Sequence, residues 1–232
     1  MFLKPFSVRS NSQIKSCEKK QLLNSFYDQY ELDPTNILEI FKTKDVHRLK
    51  VITSSEIKVN IYKFGNIPLI IENEKECLPT VYLLWHLPSL LPHFKVHENL
   101  VPVLMKGADL MLPGVVTDGP ILPYTFNKIE KGVLCCISTT SNRAPIAIGH
   151  TAMSNYDMYM SAGKGKAVSV FHVIGDHVWY VSKFVFSISY EYVVHFVLPL
   201  CYTVQQNQRI SSIPCFQRAI FEVLNCCVSS NS

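Results

Sequence analysis

Between Leu104 and Val115 the chain reads Leu-Met-Lys-Gly-Ala-Asp-Leu-Met-Leu-Pro-Gly-Val. A short helix can end in Lys106-Gly107-Ala108. A strand can start at Asp109, and Pro113-Gly114 must close it within a few residues. Gly107 supplies a left-handed turn and leaves room for another backbone to approach. A groove for a sugar-phosphate chain needs both properties. A plain helix–turn–strand joint needs only the turns, so the residues by themselves leave both readings open.

The sequence on either side of this element has two textures. Up to about residue 90 it is amphipathic. Leu22, Leu23, Phe26, Tyr27 and Tyr30 fall on one helical stripe within 15–30. Asp33-Pro34 reads as N-cap and first helical position of a short helix carrying Ile37, Leu38 and Phe41. Strands are expected at 48–53, 56–62 and 67–71, followed by a helix at 80–87 that Pro88 stops. The first part is thus expected to be two helices, a three-stranded meander and a closing helix. Leu91-Pro92-His93 reads as a linker and hinge. Beyond it, short strands punctuated by glycine and proline predict a small barrel, with strands at 133–137, 143–152 and 166–174. Ser154 caps a short helix through Met160, Gly163 ends it, and Val178-Trp179-Tyr180 reads as a final strand. The fold class is therefore α+β: a small α/β domain over 1–92, a β-barrel over 93–183, and a divergent tail over 184–232 that belongs to neither.

Charge narrows the function classes. The net charge is +4, far short of a chain that binds nucleic acid by charge alone. Residues 1–95 carry 13 Lys+Arg against 10 Asp+Glu, and residues 96–181 carry 6 against 6, so a basic docking surface is expected in the first part. None of the eight cysteines forms a CxxC motif, and no Cys/His set has zinc-ligand spacing. Free thiols in a reducing cytoplasm are expected, with a disulfide framework as the alternative. Cys135-Cys136 lies in a predicted strand, so one thiol should face the core and the other outward. Trp85 and Trp179 sit at apolar positions and read as core. His93, His97, His150, His172 and His177 have no ligand spacing, so no metal and no cofactor is expected. Gly163-Lys164-Gly165-Lys166 lacks the spacing and final hydroxyl of a phosphate loop and reads as a basic turn.

Longer motifs carry a resemblance. Phe2-Leu3-Lys4-Pro5-Phe6 with Val8-Arg9-Ser10-Asn11, then Pro79-Thr80-Val81-Tyr82 with Leu84-Trp85, then Leu90-Leu91-Pro92, resemble the pre-PUA plus PUA head of ligatin-type eukaryotic translation initiation factors. The Leu104–Val115 element resembles the signature of PUA domains. Asn142-Arg143-Ala144-Pro145-Ile146-Ala147-Ile148-Gly149 and Ala152-Met153-Ser154 extend the likeness, which covers roughly residues 1–183. Lys131-Gly132 is followed by Val133 where many PUA domains carry Gly-Asp.

The resemblance implies a non-enzymatic RNA- and ribosome-binding module. Its partners would be the small ribosomal subunit and tRNA, initiator tRNA above all, with no small-molecule substrate. It would promote GTP-independent tRNA placement or release at the peptidyl site, in initiation, reinitiation and recycling. The pre-PUA domain would dock on the subunit and the barrel would face the acceptor end of the tRNA. The RNA groove would be formed by Lys106, Gly107, Ala108, Asp109, Met111, Pro113 and Gly114, with Arg143 as a further candidate RNA contact. The family's later half is expected to be missing, replaced by the tail.

Two other readings come from other classes. A targeting fragment of an RNA-modifying enzyme would need a catalytic set, and residues 1–90 hold no recognisable one. A tail-anchored membrane protein would use the apolar stretch 184–204, but Glu191 and Pro199 lie inside it.

Overall fold

The computed structural model describes residues 2–182, with 35, 36, 38, 39, 75, 124, 127 and 128 excepted. The expected tail and its apolar stretch lie outside the described residues. Among those described, no helix is long and apolar enough to cross a membrane.

The first part is built on a five-stranded antiparallel sheet in sequential order: β1 (Ser7–Gln13), β2 (Val46–Ile52), β3 (Lys58–Phe64), β4 (Ile67–Glu72) and β5 (Cys77–Pro79). The expected meander is its centre, and β1 and β5 enlarge it from three strands to five. Helix α1 (Ser16–Tyr30) lies on one face through Leu22, Phe26 and Tyr27. Its first turn is held by the Glu18 carboxylate, which accepts from Lys15 N at 3.0 Å. It ends at Glu31 in the left-handed region, φ 50°. The expected helix at 33–41 falls partly on residues outside those described. The described ones form successive turns, Ile37 N to Pro34 O and Ile40 N to Ile37 O. Helix α2 (Val81–His86) starts where Thr80 Oγ1 accepts from Leu83 N.

The second part is a six-stranded sheet ordered β7-β11-β10-β9-β6-β8. Its strands are β6 (His93–Val96), β7 (Leu110–Met111), β8 (Val115–Val116), β9 (Leu134–Thr139), β10 (Ala147–Thr151) and β11 (Lys166–Val173). The helices α3 (Val101–Met105) and α4 (Asn155–Met160) cover it. The edge strands β7 and β8 are joined by a single turn of 3-10 helix, Leu112–Gly114. The two edges of the sheet are therefore held together by the chain itself, and the sheet curls into a barrel. Pro113-Gly114 is the residue pair that makes this possible.

Three expectations are corrected. Val178–Tyr180 is not a strand. Trp179–Val181 is a 3-10 turn, because Asp176 Oδ1 accepts from Trp179 N at 2.9 Å and caps it. The same carboxylate lies 2.7 Å from the buried His172 Nδ1 through its other oxygen, which also accepts from Val173 N. Leu91–His93 is not a loose linker. Leu91 is buried, Pro92 O accepts from Cys136 N at 2.9 Å, and His93 already belongs to β6. Cys135 and Cys136 are both fully buried, since one faces the barrel core and the other is covered by the Leu91-Pro92 backbone. Burial pushes the Cys135 thiol up to about 12, so it is inert packing.

The joint between the two parts is filled rather than hinged. Tyr82 of α2 stacks on Trp179 with centroids 4.4 Å apart and planes at 11°, and Trp85 packs edge-on to both. Trp85 Nε1 donates to Pro145 O at 2.8 Å, and Tyr82 OH donates to Trp179 O. Both tryptophans are buried core, as their apolar positions imply. One buried cluster runs from Leu22 and Phe26 through Tyr82 and Trp85 to Phe94 and Ile137. A second holds Phe2, Leu49, Val51, Ile61 and Val178, so the far face of the first sheet is sealed by both the N-terminal residues and the turn after β11.

Candidate nucleic-acid interface

Within the Lys106–Gly114 element, Leu110–Met111 pairs antiparallel with β11. Helix α3 has only five residues and closes with Lys106 N on Pro102 O and Gly107 N on Leu104 O. Gly107 has φ +95°, a conformation that favours glycine. Gly107 is exposed, and on the side where a Cβ would stand it meets the exposed side chain of Leu3. A Cβ built there would lie 2.3 Å from Leu3 Cδ1, so the close approach at Gly107 is made by the chain's own N-terminal segment. That segment is fixed by Phe2, whose N–H donates to Phe171 O and whose carbonyl accepts from His177 N.

Asp109 is already fully employed. Its Oδ1 accepts from Val170 N at 3.0 Å, and its Oδ2 pairs with Lys166 Nζ at 2.5 Å. Ala108 beside it is half-buried. Met111 and Pro113 are exposed and Lys106 is exposed before them. Gly114 is required by packing, since a Cβ there would meet Leu100 Cδ1 at 2.8 Å.

Arg143 lies elsewhere. Ala147 pairs with Val173, and Ile174 N donates to Ile146 O, so the 139–146 loop sits at the Val173 end of β11. Met111 pairs with Lys166 at the opposite end, five or more strand residues away. The Arg143 loop is anchored by Glu98, which accepts from Ser141 N at 2.9 Å. Hydrogen bonding to Ser141 above all holds the Glu98 carboxyl down at about 2.

The structure instead brings in the Gly163–Lys166 turn. Leu112 N donates to Gly165 O at 2.8 Å, which sets exposed Lys164 and Lys166 beside Met111 and Pro113. Gly163 and Gly165 both have positive φ, and Gly165 is packed against Met153. The element and the turn between them carry exposed Lys106, Lys164 and Lys166, the last paired with Asp109. Three further exposed side chains, Tyr156, Tyr159 and Met160 of α4, adjoin the turn and were not singled out from sequence. Their outward face could be read only once Met158 was seen to be the buried one.

With that geometry fixed, two family models match the chain. A pre-PUA-like domain matches residues 2–88, and the PUA domain of eIF2D matches residues 91–177. This chain belongs to the family of pre-PUA plus PUA proteins that includes eukaryotic translation initiation factor 2D. Factor 2D of Homo sapiens is 39% identical over 181 residues, covering 77% of this chain and 30% of its own length. Factor 2D of Mus musculus is 39% identical over the same extent. Translation machinery-associated protein 20 of Saccharomyces cerevisiae is 26% identical over 172 residues, covering 74% of this chain and 92% of its own. The chain thus spans about a third of the length of the factor 2D relatives. Among solved structures, a PUA-domain protein of Aeropyrum pernix superposes with a TM-score of 0.54 at 22% identity, covering 77% of this chain and 92% of the other. One from Thermoplasma acidophilum gives 0.51 at 22%, covering 75% and 99%. These two structures share the fold of this chain.

Proposed function

We propose that this chain is an RNA- and ribosome-binding module of a cytoplasmic translation factor. In this reading residues 1–92 dock on the small ribosomal subunit. Residues 93–183 present the RNA-facing barrel, which helps place tRNA in, or release it from, the peptidyl site without GTP hydrolysis. Initiator tRNA is the proposed ligand. The relatives are named as translation factors, which supports a binding role over a catalytic one.

The observation that carries the reading is the hydrogen bond from Leu112 N to Gly165 O, which seats the Lys164 turn against the Lys106–Gly114 element. It brings exposed Lys164 to the element that carries exposed Lys106, and a phosphate backbone is met by such cations. Filter binding of the full chain to initiator tRNA at two salt concentrations tests it. Lys106→Ala and Lys164→Ala should each weaken binding to all tRNAs alike and lower the salt slope by about 1. A folded chain that binds no tRNA at low salt would overturn the reading.

A further inference from the structure

Helix α4 shows an unusual outward face. Ser154 starts it, with Oγ accepting from Asp157 N at 3.2 Å and the Asp157 carboxylate accepting back from Ser154 N at 3.1 Å. Asn155 and Met158, one turn apart, are buried beneath it. Tyr156, Tyr159 and Met160 share the opposite stripe and are 61%, 42% and 61% exposed. A surface helix ordinarily carries charged residues there. The only acid on the helix is Asp157, and its carboxylate is engaged by the cap.

The surroundings are cationic. Lys164 follows in the next turn, its N–H donating to Ser161 O at 3.1 Å. Hydrogen bonding from Ser154 holds the Asp157 carboxyl below its ordinary value, and exposed Lys131 adds to this. Past Lys164 the surface continues to Met111, half exposed, through the Leu112 to Gly165 hydrogen bond. Apolar and aromatic faces therefore border Lys131 and Lys164, with Glu130, next to Lys131, as the neighbouring exposed acid.

Size and charge choose the occupant. A stable protein interface covers about 800 Å² on each side. Two tyrosines and a methionine on a six-residue helix supply well under that, since even a fully covered aromatic side chain contributes about 150–250 Å². The same area matches a few nucleobases, whose phosphates the lysines would meet. We propose that Tyr156, Tyr159 and Met160 form a stacking platform for unpaired bases of an RNA strand whose backbone passes Lys164. The inference rests on the RNA-binding reading above and adds to it a preference for RNA with a single-stranded segment beside a duplex.

Fluorescence anisotropy with the full chain and two labelled hairpins of identical stem, one blunt and one with an unpaired tail, tests this. The tailed hairpin should bind about tenfold more tightly. Tyr156→Ala with Tyr159→Ala should abolish the difference, leave blunt binding unchanged and keep the wild-type circular dichroism spectrum. Tyr156→Phe with Tyr159→Phe should retain the preference, because the ring face and not the hydroxyl is used. Lys164→Ala should weaken both hairpins. Equal binding of both hairpins by the wild type overturns the platform while leaving the RNA-binding reading intact. Binding of neither overturns both. If instead the alanine pair abolishes self-association in sedimentation and leaves RNA binding unchanged, the face is a protein contact and the platform is wrong.

Discussion

Leu3 occupies the space that any side chain at residue 107 would need, with its Cδ1 2.3 Å from where a Gly107 Cβ would stand. Gly107→Ala meets the cost of a positive φ, while the exposed Leu3 side chain can swing its Cδ1 aside. It should lose about 1–3 kcal/mol of stability in denaturant unfolding. Adding Leu3→Ala should recover little of that loss. Gly107→Glu should lose more, so weak RNA binding by that variant would have to be separated from misfolding.

Asp109 distinguishes a structural role from an RNA contact. Asp109→Asn keeps an oxygen for Val170 N and releases Lys166 from its ion pair. It should leave the fold intact and bind RNA at least as tightly as the wild type, because one more cation faces the phosphates. Asp109→Ala leaves Val170 N without its acceptor and should cost about 1–3 kcal/mol. Weaker RNA binding by a folded Asp109→Asn protein would mean that the carboxylate itself contacts RNA.

The filled joint predicts joint unfolding. Trp179→Ala removes the ring stacked on Tyr82 and packed against Trp85, and should cost about 3–5 kcal/mol. Calorimetry should still show one transition, with both parts lost together. Limited proteolysis should not release two protected pieces by cutting at 90–98, which is where the sequence alone suggested a hinge. Two separate transitions in the wild type would show that the shared core contributes little.

Glu98 gives the 139–142 loop a pH dependence. Its folded pKa lies below the ordinary carboxylate value of about 4.5, at about 2, so its stabilising contribution is complete above that ordinary value and is lost as pH falls through about 2. Amide exchange at Ser141, corrected for its intrinsic pH dependence, should accelerate over that window. Glu98→Gln should show the faster exchange already at neutral pH. Protection of Ser141 that is independent of pH in the wild type would show that the loop is held by other contacts.

Much of the fold was legible because its signals are local. The α1 stripe, the Ser154 cap and the alternation in β3 each depend on residues within one or two turns. Strand β1 was not legible. Ser7–Gln13 is exposed along its whole length at the sheet edge, so no apolar alternation marks it. The Val178–Tyr180 composition favours a strand, and only the Asp176 cap, itself held by buried His172, turns it into a 3-10 helix. For the candidate interface, the sequence proposed Lys106, Met111 and Pro113, which are exposed. It could not separate Arg143 from them, because their separation depends on strand register. It also could not show that Leu3 fills the gap at Gly107, a contact between residues 104 positions apart.

The pairing of Phe2 with Phe171 and His177 sets an order of events during synthesis. The far face of the first sheet needs Phe2, and Phe2 needs residues from the end of the barrel. At roughly 5–20 residues per second, the finished sheet waits on the order of five to twenty seconds before its covering can arrive. During that interval Leu49, Val51, Val59 and Ile61 lack the partners that bury them in the folded chain. The last-made turn of the described chain is thus also the one that seals its first-made sheet.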